Sequence, residues 1–433
     1  MPSTPPQQAK GVFGLFCLAS YLLSLSYGTT FLLAMMLSAH GGSESDAGTI
    51  ISVAMLSTFM AVIFSGHLTD LFGAPRAIAC GALLLAAACL GFATLPGHGT
   101  AVLIFGLVLG LGWGVFYTLG PIVVAMLIEP AQRVKHFALL SGSMMTGIGT
   151  GPLLGRAAQA LGYPVESAFL VAAFASLLGG LVFVVIGPEI KRQHSILGPV
   201  IACKITLPAT GRVLRSKAVF AIMMVGLGGA IFGGLSSFQT SYATLNQLDY
   251  SLFFLGFMGA AITCRLLVAG LIVRRDPYVM SCLLTALMVV SVLMLMFFVS
   301  SGFTYLLAAI VLGVGYGLTY SVINGLAANE APAGLTPQSL VLFSLAYFVG
   351  VFGFPWLAGQ IIVNYGMHTL LWIILGIALC NWSITLGRLV WRLPLFQNTP
   401  PPRTFASRLA PTVKVPPVTQ PGSLPSPPHT PTE

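Results

Sequence analysis

The sequence predicts an all-α membrane protein of twelve transmembrane helices in two related six-helix halves, and three observations lead there. The first is composition. Of 433 residues, 56% are hydrophobic and 7% are charged, whereas soluble domains run near a quarter charged, so a water-facing surface could not be solvated. The second is continuity: apolar runs of about twenty residues recur from end to end, which suits helices crossing a hydrocarbon core and not the alternating strands of a barrel. The third is an internal repeat. GLGWGVFYT, Gly110 to Thr118, nearly recurs as GVGYGLTYS, Gly313 to Ser321, 313 − 110 = 203 residues later.

Between polar breaks the expected spans are 11–38, 47–68, 75–95, 101–128, 137–161 and 167–187, then 217–245, 251–273, 278–300, 304–328, 338–363 and 368–392. The first is too long for a signal peptide's apolar core and has no good small-residue cleavage site, so it counts as a helix. This divides the chain into an N-terminal segment 1–10, a first bundle 11–187, a linker loop 188–216, a second bundle 217–392 and a tail 393–433. The tail is rich in Pro, Ser and Thr and lacks apolar periodicity, which predicts disorder.

Charge sets the expected orientation. Lys10, Arg76, Arg133, Lys135, Lys191, Arg192, Lys204, Arg212, Arg215, Lys217, Arg274, Arg275, Arg388, Arg392, Arg403, Arg408 and Lys414 all fall on the side of the N-terminus, and the opposite loops hold no Lys or Arg. That asymmetry predicts a cytoplasmic location for both termini, in the inner membrane of a cell. The net charge of +9 then reports topology, and no nucleic-acid partner is expected. Six cysteines lie within spans and Cys203 lies in the linker, so no disulfide framework is expected. Neither a P-loop, a zinc spacing nor a nucleophile elbow occurs, so enzyme activity, a cofactor and a metal are not expected.

The offset of 203 maps Trp113, Tyr117 and Thr118 onto Tyr316, Tyr320 and Ser321, and Gly147 and Pro152 onto Gly350 and Pro355. The fourth and fifth spans thus correspond to the tenth and eleventh. Parallel repeats of this kind, related by an axis along the membrane normal, are the architecture of transporters that rock around a central site.

GHLTDLFGAPR, Gly66 to Arg76, follows G-x-L-x-D-x-x-G-x-x-R, and through Gly66, Leu68, Asp70, Gly73 and Arg76 it resembles the signature of the major facilitator superfamily. Gly73 suits a sharp turn, Pro75 a first helical turn, and Asp70 can pair with Arg76. The resemblance, which covers about residues 11 to 392, implies a gating role for this motif, with Asp70 facing the helix that begins Thr336-Pro337. A Thr there would make a good cap, and an anion would be favoured by the helix dipole. The second-half counterpart, GLIVRRD from Gly270 to Asp276, is degenerate, so a charge cluster is expected chiefly in the first half. GIGTGPLLG, with Gly147, Gly149, Gly151, Pro152 and Gly155, resembles a fifth-helix motif of the superfamily's antiporter branches. Its small residues would allow close approach to a helix of the other half.

The resemblance implies a secondary active transporter that moves a small organic solute by alternating access, as a monomer, with efflux driven by protons. Uptake of a metabolite is the alternative, and a non-transporting receptor a third. Candidates for the solute cavity are Tyr21, Tyr27, Trp113, Tyr117, Gln239, Tyr242, Tyr316, Tyr320 and Asn324. Rings with one polar tip suit an amphipathic or neutral solute, and helix packing is the other reading of each. No Asp or Glu sits in mid-span, so the usual carboxylate relay for protons cannot be carried over. Arg156 and Arg265 lie inside spans, where each could snorkel to a boundary; an Arg at the place of Arg265 also resembles one exporter-like branch, of the sugar-efflux or drug-resistance type, which makes it a further candidate.

Overall fold

A computed structural model describes residues 6–95, 97, 99–128, 133–197, 206–265 and 275–392, and the side chains of all of these but 6–10, 65, 66, 70, 133–135, 194, 196 and 197. In the first half, α1 (Pro6–Thr29) passes through a 3-10 turn (Thr30–Leu32) into α2 (Leu33–Ala39). Then come α3 (Glu44–Phe72), α4 (Ala74–Thr94), α5 (Thr100–Leu127), α6 (Arg133–Ala160) and α7 (Glu166–Leu197). A short helix, α8 (Leu207–Leu214), leads to the second half: α9 (Ala218–Ser237), α10 (Gln239–Leu245), α11 (Ser251–Thr263), α12 (Pro277–Phe297) and α13 (Gly302–Asn329). The chain ends its described course in α14 (Thr336–Phe348), a π-turn (Val349–Gly353), α15 (Phe354–Tyr365) and α16 (Met367–Val390). Among the described residues eleven helical stretches are long and apolar enough to cross a membrane, and α11 is a shorter apolar helix; residues 266–274 lie outside the described part. So do His98, Glu129, Cys203, Lys204 and the tail 393–433.

Local chemistry explains the ends and the breaks. Ser43 and Asp46 form a reciprocal capping box that starts α3, and Ser301 and Thr304 do the same for α13. Asp276 accepts from the amides of Tyr278 and Val279, at 2.8 and 3.4 Å, and with Pro277 as first residue it starts α12. Between α3 and α4 the chain turns in one residue, Gly73, whose φ of +78° is strained for any residue with a Cβ. The first span is interrupted where Ser26, Thr29 and Thr30 turn their hydroxyls back onto carbonyls three residues earlier, at 2.5, 2.9 and 2.6 Å. Pro355 has no N–H to offer to Val351, and the π-turn sits on the residues just before it.

Two expectations are corrected here. The linker is not a plain loop, because α7 runs on through Pro188 to Leu197 and α8 lies within it. Thr336 is not the cap of α14: Leu335 occupies that position, and the Thr336 hydroxyl reaches the Ala328 carbonyl at 3.4 Å.

The repeat survives as packing. A Cβ on Gly110 would lie 2.0 Å from the Ala54 carbonyl oxygen, and one on Gly313 would lie 2.3 Å from that of Phe257, residues related by the same offset of 203. Gly112 abuts Gly81 and Leu85 as Gly315 abuts Leu284 and Met288, again 203 residues on. These glycines let α5 and α13 approach their neighbours to backbone contact. For α1 and α9 the offset is 205: Gly28 meets the Ile148 carbonyl and Gly233 that of Val351. The described bundles are therefore one packing scheme used twice, and α5 and α13 touch through Tyr117 and Tyr320.

Candidate functional site

Of the rings in the repeat, Tyr117 and Tyr320 stand where the halves meet. Tyr117 and Tyr320 are in direct contact, hydroxyl to hydroxyl at 3.0 Å, and so join the two halves across residues that correspond in the repeat. Around them stand Phe348, at 4.9 Å from the Tyr117 ring, and Tyr347, at 5.5 Å from the Tyr320 ring. Trp113 and Tyr316 lie one helical turn deeper and are buried. Trp113 stacks on Tyr27 at 4.7 Å and Tyr316 on Phe232 at 5.0 Å, an arrangement copied between the halves. The Tyr316 hydroxyl donates to that of Tyr347 at 3.1 Å. Trp113, Tyr316 and Tyr27 thus form the packed backing of a ring cluster whose inter-half members are Tyr117, Tyr320, Tyr347 and Phe348.

Arg265 belongs to the same cluster. It is 6% exposed, which removes snorkelling as its reading. Its Nε donates to the Gly317 carbonyl at 3.0 Å, and its NH1 donates to Ser141 Oγ on α6 of the other half at 2.7 Å. The guanidinium carbon lies 5.4 Å from the centre of the Tyr320 ring, a cation–π distance. The NH2 group is buried and has no hydrogen-bond partner.

Other candidates lie apart. Gln239 accepts from Tyr305 at 2.6 Å, and Tyr242 donates to the Leu295 carbonyl at 2.7 Å, so both are spent on packing inside the second half. The carbonyl of Tyr21 lies against Gly147, and its side chain is half-buried. Asn324 is half-buried one turn beyond Tyr320, on the same face of α13.

The fifth-helix motif has a different partner from the one expected. Gly147, Gly151 and Gly155 lie against Tyr21, Gly28 and Leu32 of the same half, where a Cβ on Gly151 would come within 2.3 Å of backbone; Gly149 alone of these four faces the second half, at Met258. Pro152 lies inside α6, which stays α-helical through it.

At the end remote from the start of α1 and the end of α16 the halves are zipped together. α3 runs against α15, and α6 against α11. A Cβ on Gly48 would meet the Pro355 carbonyl oxygen at 2.2 Å, and one on Gly359 that of Glu44 at 2.4 Å. Ser52 donates to the Phe352 carbonyl at 2.6 Å, Gln360 to Ser45 at 2.6 Å and Ser241 to Glu44 at 3.0 Å. Arg156 pairs with Asp249 at 2.7 Å, and Tyr250 donates to Gln159 at 3.3 Å. Burial acts to raise the Asp249 carboxyl, but hydrogen bonds from Arg156 and Ser251, with the Arg156 charge, outweigh it and hold Asp249 below the usual carboxylate range.

The other end carries the basic residues, and among the described residues it holds a buried charge cluster in the second half. Glu330 and Arg388 form a pair at 2.5 Å, each 9% exposed, and Tyr278 donates to the same carboxylate. Arg392 covers the Tyr278 ring at 4.1 Å and reaches Asp276 at 3.3 Å. Sequence reasoning missed this network because its members come from three helices; the aspartate ending GLIVRRD was the available signal. In the first-half signature, Leu68 is half-buried against the core, Gly73 makes the turn and Arg76 is exposed. The side chain of Asp70, with its expected pairing, and the surroundings of Gly66 lie outside the described residues.

No curated protein matches the chain. Among solved structures, a peptide transporter POT variant in complex with sulfate is 19% identical, with 88% of this chain and 94% of that one covered and a TM-score of 0.69. The human organic anion transporter MFSD10 is 17% identical, covering 88% and 100%, with a TM-score of 0.65. For the nucleoside transporter NupG the identity is 13%, the coverage 87% and 99%, and the TM-score 0.71. At these identities the likeness shows a shared fold. The family profile described as Major Facilitator Superfamily matches residues 14–355. By that match the chain belongs to the Major Facilitator Superfamily, a family of membrane transporters and not of enzymes.

Proposed function

We propose that this transporter carries a small organic solute out of the cell by alternating access, driven by the proton gradient, from the inner membrane and with both termini in the cytoplasm. The observation that carries alternating access is the contrast between the two ends of the interface. At the end remote from the start of α1 and the end of α16, α3 meets α15 through carbonyl-close glycines, α6 meets α11 at Gly149 and Met258, and five side-chain bonds join the halves, whereas the described charge pairs of the basic end lie within single halves. A fold closed at one end by small-residue contacts can reclose at the other by rocking its two rigid halves. The central site would then be the Tyr117, Tyr320, Tyr347 and Arg265 cluster.

Efflux rests on the likeness of Gly147 to Gly155 to the antiporter motif, now with a physical role: it locks α6 to α1, so the pair would move as one body. Both sides of the cluster come from one chain, which supports a working monomer. Everted and right-side-out vesicles containing the protein, supplied with labelled amphipathic compounds with and without an uncoupler, test this reading. Uncoupler-sensitive accumulation in everted vesicles is the expected result. Accumulation only in right-side-out vesicles assigns uptake instead.

A further inference from the structure

We propose that Arg265 is the binding point for an anionic group of the solute, a carboxylate or a comparable oxyanion on an aromatic or otherwise apolar body. This deepens the transport reading and rests on it for the word solute, but the site itself stands on the geometry around one guanidinium.

A guanidinium buried in a bundle interior is costly unless a counter-charge and hydrogen bonds compensate it. Here the hydrogen bonds are partial. Of its five N–H donors, one on Nε is used by Gly317 and one on NH1 by Ser141, and the buried NH2 has no partner. The counter-charge is missing altogether among the described carboxylates, each of which is engaged elsewhere. Glu330 holds Arg388, Asp249 holds Arg156, Asp276 holds Arg392 and Glu189 holds Arg192. Glu44 takes Ser241, Asp46 takes Ser43 and Glu166 lies near His40.

What remains is a planar fork with donors to spare, fixed on both sides and held between the halves. Free NH1 and NH2 hydrogens match the two oxygens of a carboxylate, the pairing for which Arg is best suited. The Tyr320 ring lies beside the fork, and Tyr117 and Tyr347 adjoin Tyr320, so a ring attached to the anion has aromatic neighbours. The offset of 203 places Val62 at the corresponding position of the first half, so the fold does not require a cation there.

The test uses the purified full chain in detergent and two matched probe pairs, sodium benzoate with benzamide and sodium phenylacetate with phenylacetamide, against sodium chloride at equal concentration. Thermal stability and Trp fluorescence are titrated. Both acids are expected to bind about tenfold more tightly than their amides, which corresponds to one charge-assisted hydrogen bond. Arg265→Gln should erase that difference while Arg265→Lys keeps part of it. Equal shifts from acid and amide, or an equal shift from sodium chloride, overturn the proposal in the unmodified protein, whether or not any variant folds. Persistence of the acid preference in Arg265→Gln overturns it too. Acid binding without gradient-driven movement in vesicles would remove the transport reading and leave this site, whereas transport of neutral compounds with no acid preference would do the reverse.

Discussion

In the first half Gly110 lies against Ala54 and Gly112 against Gly81; in the second, Gly313 lies against Phe257 and Gly315 against Leu284, each 203 residues on. Those contacts depend on distances between backbones, and any side chain at them would collide. The polar positions behave differently. Arg265 corresponds to Val62, and the buried Glu330–Arg388 pair contrasts with the exposed Arg192–Glu189 pair on the first half's basic end. Steric requirements are shared because both halves must pack six helices in the same way, whereas charges are free to diverge with the task of each half.

The largest effect tests that equivalence. Gly110→Leu and Gly313→Leu drive a side chain into a carbonyl that cannot yield, so neither variant should give monodisperse protein by size-exclusion chromatography. A folded product from one and not the other would break the correspondence between the halves. Next come the ion pairs. Glu330→Gln strands a buried Arg388 and should cost about 3–5 kcal/mol, against less than about 1 kcal/mol for Glu189→Gln, as read by melting in detergent. Similar losses would mean that burial does not distinguish the two ends.

Smaller still is the bond between the halves. Tyr117→Phe and Tyr320→Phe should each lower stability by about 1 kcal/mol and the double variant by no more than either, since all three lose one bond. Additive losses would show that the hydroxyls act independently. The least effect is at Asp249. Its folded carboxyl titrates below its unfolded value, so the pair with Arg156 contributes fully above the unfolded value of about 3.9 and fades as pH falls through the lower folded one. The melting difference between the parent chain and Asp249→Asn should therefore be flat at neutral pH and shrink below about pH 4. A difference that grew on acidification would reverse the sign.

The bundle was legible because its cause is cheap to read: apolar runs of spanning length and glycines at a fixed offset each name a physical requirement directly. Tyr117 and Tyr320 followed from the same repeat. Gln239 and Tyr242 did not, because a break at Phe238 turns the end of the seventh span into its own half. The partners of Arg265 were out of reach as well. Gly317 and Ser141 meet it only once two bundles are closed, and nothing in either local stretch signals an unpaired NH2.

The π-turn at Val349–Gly353 sets the phase of the eleventh span. An α-helix advances about 100° and 1.5 Å for each residue, and a π-turn inserts roughly one residue into that count. Tyr347 and Phe348 lie before the insertion and line the ring cluster; Gly359 and Gln360 lie after it and close against Glu44 and Ser45. The extra residue therefore acts as a phase shifter in a single rod, indexing its centre to the ring cluster and its end to the contacts with α3.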